Sequence, residues 1–152
     1  LSWWCALSPD ARLDEAITLI ATVPGYEAVA AHLRRCTIRY VPTLEDRGQV
    51  TRFTGVILIG PEALYQGVVG LAETLVHEEY HTRQHPLLKT HSFWSGVFTR
   101  TDVMARYERP AYQAAADFLD SLARTHPEHA EEAQAEAELV RASYTSLYGL
   151  DP

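Results

Sequence analysis

Lysine is almost missing from this chain. Lys89 is the only one, and lysine and arginine together number 13 against 20 acidic residues, a formal net charge of -7. A nucleic-acid partner needs a basic face against its phosphates, so this balance argues against one. Long apolar runs are also missing: no stretch of eighteen or more apolar residues occurs, and nothing here reads as a membrane span. Cysteine is scarce. In an oxidising compartment Cys5 and Cys36 could close a loop of about 30 residues, worth roughly 3 to 4 kcal/mol; in a reducing one they are two buried thiols. They form neither a disulfide framework nor a zinc-ligand spacing. Methionine occurs once, at position 104, and the chain begins at Leu1, which points to a trimmed or processed protein.

What is present suits a globule. With 152 residues and 47% hydrophobic content, one domain over 1–152 is expected, large enough to bury about two-thirds of its unfolded surface. After Leu1-Ser2-Trp3-Trp4, an apolar patch of unreadable role, Ser8-Pro9-Asp10 supplies an N-cap, a first-turn proline and a first-turn acid. Leu13, Ile17 and Ile20 then recur at helical spacing until Pro24-Gly25. A second helix is expected over Tyr26 to Arg35, a strand over Cys36 to Val41, a loop over Leu44 to Gln49, and a stronger strand over Phe53 to Gly60, paired with the first. Pro61 to Gly70 reads as a helical turn and loop. The expected architecture is α+β and helix-rich, with a small mixed or antiparallel sheet against a helix that follows at once.

That helix, Leu71 to His85, carries His77-Glu78-Glu79-Tyr80-His81, of the form His-Glu-x-x-His. Residues four apart stand one above the other on a helix, about 6 Å apart along its axis, so both imidazoles can face one ion. Glu78 lies about 100° round from His77, outside comfortable ligation but placed to take a proton from a metal-bound water. Glu79 lies another 100° round, away from the ion, so that Glu79→Gln is expected to change little. His85 precedes Pro86, which ends the helix, and at about 12 Å from His77 along the axis it reads as a cap or pocket residue. Pro86 to Gly96 reads as a loop containing His91, Phe93 and Trp94.

Thr101-Asp102 then caps a helix bearing Met104, Tyr107 and Glu108. On a helical wheel Glu108 shares its face with Met104, Ala105, Ala111, Tyr112 and Ala115, whose small side chains allow close approach to the metal helix. A carboxylate in that company needs a cation, which makes Glu108 the third-ligand candidate. Pro110, two residues on, takes a hydrogen bond out of this helix and is expected to kink it. The rest, Ala111 to Leu122 and a helix opened by the capping box Thr125-His126-Pro127-Glu128, reads as scaffold.

His77-Glu78-x-x-His81 followed by a helical Glu within Tyr107-Glu108-x-x-Ala111-Tyr112 resembles the gluzincin group of zinc metallopeptidases. The likeness is nearest to small bacterial members with His-Glu-x-x-His-x-x-Gln, matched here by Gln84, and it covers roughly Phe53 to Asp120. The metzincin pattern fails, since Gln84 and Leu87 stand where Gly and a third His belong. The resemblance implies a zincin-like single domain, one zinc per chain on His77, His81 and Glu108, and a peptide or protein substrate. Glu78 would be the general base acting through a zinc-bound water, and Val56, Ile57, Leu58 and Ile59 an edge strand aligning the substrate backbone. Tyr112, Tyr107 and His91 are candidates to stabilise the developing oxyanion. A noncatalytic zinc-binding domain, regulatory or partner-binding, is the second reading, and a helical interaction module with a chance motif the third.

Overall fold

The structure, a computed structural model, describes residues 2–51, 53–84 and 100–149, the side chains of Ser2 and of residues 100–103 excepted. In chain order the elements are α1 (Ser2–Cys5), α2 (Pro9–Thr22), α3 (Glu27–Arg35), β1 (Ile38–Tyr40), β2 (Gly48–Val50), β3 (Ile57–Ile59), α4 (Pro61–Gln66), α5 (Val68–Arg83), α6 (Arg100–Thr125), a 3-10 turn (Pro127–His129) and α7 (Ala130–Tyr148). This is an α+β, helix-rich fold with one small sheet. Among the described residues no helix is long and apolar enough to cross a membrane.

The N-terminal capping signal is realised as read. Ser8 sits at the N-cap of α2 and its hydroxyl accepts the Ala11 N–H at 3.2 Å, satisfying one donor that the first turn leaves open. Leu13, Ile17 and Ile20 are buried along one face of α2. The opening patch divides its two tryptophans. Trp4 is 1% exposed and its Nε1–H donates to the Leu64 carbonyl at 3.1 Å, while Trp3 is 53% exposed. Arg12, also buried, donates to the carbonyls of Trp4 and Cys5 and lies 4.4 Å over the Tyr65 ring. A cation at a helix C-terminus is favourable, and here it pins α1 to α2. Cys5 and Cys36 are both free thiols.

The sheet has the order β1-β3-β2. β3 pairs in parallel with β1, Ile38 facing Ile57 and Tyr40 facing Ile59, and antiparallel with β2, Gly48 facing Ile59 and Val50 facing Ile57. The expected pairing of the two strands is present, and so is the mixed character. Two expectations are corrected. The stretch 44–49 is not all loop, because Gly48–Val50 forms β2, whose polar and glycine content hides it from a search for apolar alternation. The strand expected over Phe53 to Gly60 shrinks to Ile57–Ile59, because Phe53 and Gly55 turn the chain with φ values of 68° and 67°. Thr51 holds this turn, its N–H donating to the Val56 carbonyl and its hydroxyl accepting the Val56 N–H.

β3 is therefore the middle strand, hydrogen-bonded on both sides, and the expected open edge at Val56, Ile57, Leu58 and Ile59 does not exist. Its apolar run is explained by burial: Ile57 and Ile59 are wholly buried in the core. Among the described residues β2 is hydrogen-bonded on one side only, and it is the strand that packs most against α5.

α5 starts earlier than the sequence implied, at Val68, directly after Gly67 (φ 134°) separates it from α4. It is packed on every side, by α2, α3 and α4, by β2 and β3, and by α6 and α7. Leu71, Ala72, Leu75 and Val76 are all at or near zero exposure, as expected for a helix without a solvent face. α6 runs without interruption through Pro110 from Arg100 to Thr125, taking in both the helix expected at Glu108 and the scaffold expected from Ala111. The expected capping box is absent. Thr125 ends α6, its hydroxyl donating back to the Ser121 carbonyl at 2.8 Å, and α7 begins after a 3-10 turn at Pro127 with no side-chain cap.

The lock made by Trp4 has a measurable consequence. Trp4→Ala should cost about 3 to 5 kcal/mol in urea unfolding, from the cavity and the orphaned Leu64 carbonyl, whereas Trp3→Ala should stay within about 0.5 kcal/mol.

Candidate metal centre

The polar residues of α5 are the starting point, because burying them uncompensated would cost several kcal/mol each. Glu79, 2% exposed, accepts from Arg83 Nε and Nη2 at 2.9 and 3.1 Å and lies 2.9 Å from His32 Nδ1 on α3. It faces away from the motif histidines as expected, yet Glu79→Gln cannot be silent: the carboxylate is the buried centre of this network. Glu73, one turn before His77, pairs with Arg47 Nη2 at 3.3 Å. Arg47 also donates to Glu136 on α7 at 2.9 Å, to Gln66 of α4 and to the Gly70 carbonyl.

The remaining polar face of α5 meets α6. His77 Nε2 and His81 Nε2 are 3.1 Å apart, and Glu108 Oε2 lies 3.1 Å from the first and 3.0 Å from the second. Three ligand atoms thus form a nearly equilateral triangle, the one His/Cys/Asp/Glu group able to hold a metal ion among the described residues. An ion with bonds of about 2.0 Å to tetrahedrally disposed ligands sets those ligands about 3.3 Å apart. The triangle is within a few tenths of an ångström of that face, and it leaves the fourth vertex to the cleft.

The chemistry of the donors agrees with their spacing. Gln84, at the C-cap of α5, has Oε1 2.6 Å from His81 Nδ1, while its Nε2 donates to the Tyr107 carbonyl at 2.9 Å. With the amide orientation fixed by α6, His81 Nδ1 is the donor to Gln84, and Nε2 is the nitrogen turned towards Glu108 and the triangle. Gln84 is the orienting partner that spacing alone did not identify. In the metal-free chain, burial alone would raise the Glu108 carboxyl, but hydrogen bonds from His77 and His81 overrule it and hold it well below the carboxylate range. Burial likewise would lower His77, yet Glu108 and the nearby Glu78 and Glu73 raise it. A metal ion taken up there would compete with protons for the two imidazoles and the carboxylate.

Two tyrosines frame the ligands. The Tyr107 ring stacks on His81, centroids 4.5 Å apart at 6°, and the Tyr112 ring meets His77 edge-on at 4.9 Å. Burial and the Glu108 charge raise the Tyr112 hydroxyl far above the usual phenol range, and the same two causes push Tyr148 of α7 up to about 12. His91, the third candidate for the oxyanion role, and His85 lie outside the described residues.

A cavity of about 420 Å³ opens over the triangle, bounded by β2, α5, α6 and α7. Glu78 lines it and is 6% exposed. Gly48 explains its confinement: a Cβ there would stand 2.8 Å from Glu78 Cγ and 2.9 Å from Oε1. Only glycine lets β2 approach the helix this closely. Arg47, Gly48, Glu73 and Tyr148 were missed by sequence reasoning. A lone Arg-Gly pair in a polar stretch carries no periodicity, and Tyr148, 40 residues beyond Glu108, is brought in by α7, where only topology could place it. No family model, curated protein or solved structure matches the chain.

Elemental analysis should find about one divalent transition-metal ion per chain in the wild type and none in Glu108→Ala. Full occupancy in that variant, with loss on changing His85 or His91, would reassign the third ligand. Gln84→Ala should keep the ion but weaken its affinity about 10- to 100-fold in chelator competition, through loss of the His81 hydrogen bond; undiminished affinity would remove Gln84 from the site.

Proposed function

We propose that this chain is a zinc-dependent peptidase with a zincin-like fold, its site of the gluzincin type that the motif resembles. The observation that carries the reading is the His77-His81-Glu108 triangle with Glu78 in the same cleft and, alongside, an edge of β2 that no described strand pairs with. Two imidazoles and one carboxylate with a vertex open to a cleft match the ligand set of catalytic zinc sites. When bound, zinc supplies a Lewis acid that polarises a substrate carbonyl and makes water acidic enough to lose a proton near neutral pH.

The chain's own residues account for the rest. Glu78, walled in by Gly48, has little freedom to swing, so its carboxylate is held where it can take a proton from water as the oxygen adds to the carbonyl carbon. As the C–N bond breaks, that proton passes to the leaving nitrogen, and Glu78 returns to its charged form. Tyr112 and Tyr148 stay protonated at any working pH and line the cleft, so each has an O–H to offer where negative charge develops. Tyr107, stacked flat on His81, is better suited to holding the ring in place. The free edge of β2 can accept an extended backbone, which moves the aligning role from Val56–Ile59 to Gly48–Val50.

Glu78→Gln separates base from ligands. The variant should fold, keep its zinc and bind peptide, and cleave a mixed peptide pool at least about 100-fold more slowly than wild type. Equal rates for the two proteins, or a zinc-loaded wild type that cleaves nothing, would replace the peptidase with a noncatalytic zinc-binding domain.

A further inference from the structure

The cleft has a second lobe. A cavity of about 410 Å³ adjoins the first and shares Gln49, Val50, His81 and Tyr107 with it, so the two meet along β2 beside the metal ligands. Their linings differ. Asp46, Arg47, Glu73, Glu78 and Glu108 bound the first lobe, whereas no Asp, Glu, Lys or Arg stands among the described residues of the second, whose polar side chains are three threonines, Gln49, Gln84, His81 and Tyr107.

Phe53 stands on the rim of this second lobe, in the turn between β2 and β3. At 74% it is the most exposed large apolar side chain among the described residues. It is also their sole non-glycine position with positive φ, at 68°. That region is unfavourable for a bulky side chain, and exposure gains the ring nothing in the free protein. The turn does not relax to relieve it, being tied by the Thr51–Thr54 hydroxyl contact and by the Gly55 N–H on the Thr51 carbonyl at 3.1 Å.

We infer that Phe53 is a specificity-determining residue, closing over an apolar side chain of a peptide laid along β2. An extended peptide paired with that edge sends alternate side chains to the same face, about 6.5 Å apart. A chain crossing the metal ligands would therefore place residues on the two sides of the cleaved bond in different lobes. The acid-rich lobe disfavours acidic side chains, and the Phe53 ring on the rim of the other lobe offers contact to an apolar one. The inference rests on the peptidase reading for the identity of the occupant.

The test compares wild type with Phe53→Asn and Phe53→Tyr, all zinc-loaded. Asn tolerates positive φ but offers no apolar surface; Tyr keeps the ring. The probes are blocked octapeptides carrying Phe, Leu, Ser, Asp or Lys at each of the two positions on either side of the cleaved bond. Wild type should favour Phe and Leu at one position by about tenfold in KM, the scale set by burying part of an aromatic ring. Phe53→Asn should lose that preference at that position alone, with kcat within about twofold and a melting temperature equal or higher, and Phe53→Tyr should restore it. An unchanged profile in Phe53→Asn, or an equal loss at all positions, overturns the inference and leaves the peptidase reading standing. If wild type cleaves none of the peptides, calorimetric binding of the same set decides. A Phe53-dependent apolar preference retains the inference while the peptidase reading falls, and absent or Phe53-independent binding removes both.

Discussion

A helix packed on every side cannot leave polar groups to water, and α5 is such a helix. Its sixteen residues include Glu73, Thr74, Glu78, Glu79 and His81, all buried. The organisation around it follows from the partners of four of these. Glu79 is answered by Arg83 and by His32 of α3, Glu73 by Arg47, Thr74 by the Gly70 carbonyl, and His81 by Gln84 and Glu108. A charge buried without its partner costs more than most single packing contacts return, so these pairings fix which elements may approach and from where.

Arg47 shows how far one such pairing reaches. Its guanidinium joins the start of β2 to α4, α5 and α7 through Gln66, Gly70, Glu73 and Glu136. The next residue is Gly48, whose missing side chain admits Glu78. The strand edge beside the cleft is thus positioned by an ion network about one helical turn from the ligands. Fold and site are set by the same contacts.

The sequence carried the local parts of this plan. His77 and His81 at helical spacing, Glu108 among small neighbours, the capped start of α2 and the apolar core of β3 are properties of a few adjacent residues, readable from period and side-chain type. What was misread depends on distant neighbours. Val56–Ile59 has the apolar run of a strand, but whether a strand is central or at an edge is decided by what pairs with it, and its second partner is the unremarkable Gly48–Val50. Thr125 to Glu128 has the letters of a capping box, yet the Thr125 hydroxyl had a nearer acceptor in the Ser121 carbonyl of its own helix. Pro110 does not end α6, which continues through it with α5 and α7 packed along it. Arg47 and Tyr148 are long-range in the strict sense, joined to the site by topology alone.

The three residues able to hold a metal ion come from only two helices, and the carboxylate lies 27 residues beyond His81 in the chain. An ion bound there would be a cross-link: it would staple α6 to α5 and close a loop that the unfolded chain leaves open. By mass action, free metal at a thousand times its dissociation constant would add about 4 kcal/mol to folding stability. That is comparable with a large part of what a small domain possesses in total. With such a cross-link the endurance of the fold would follow the metal supply around it, and a chelator would act on it as a denaturant acts on other proteins.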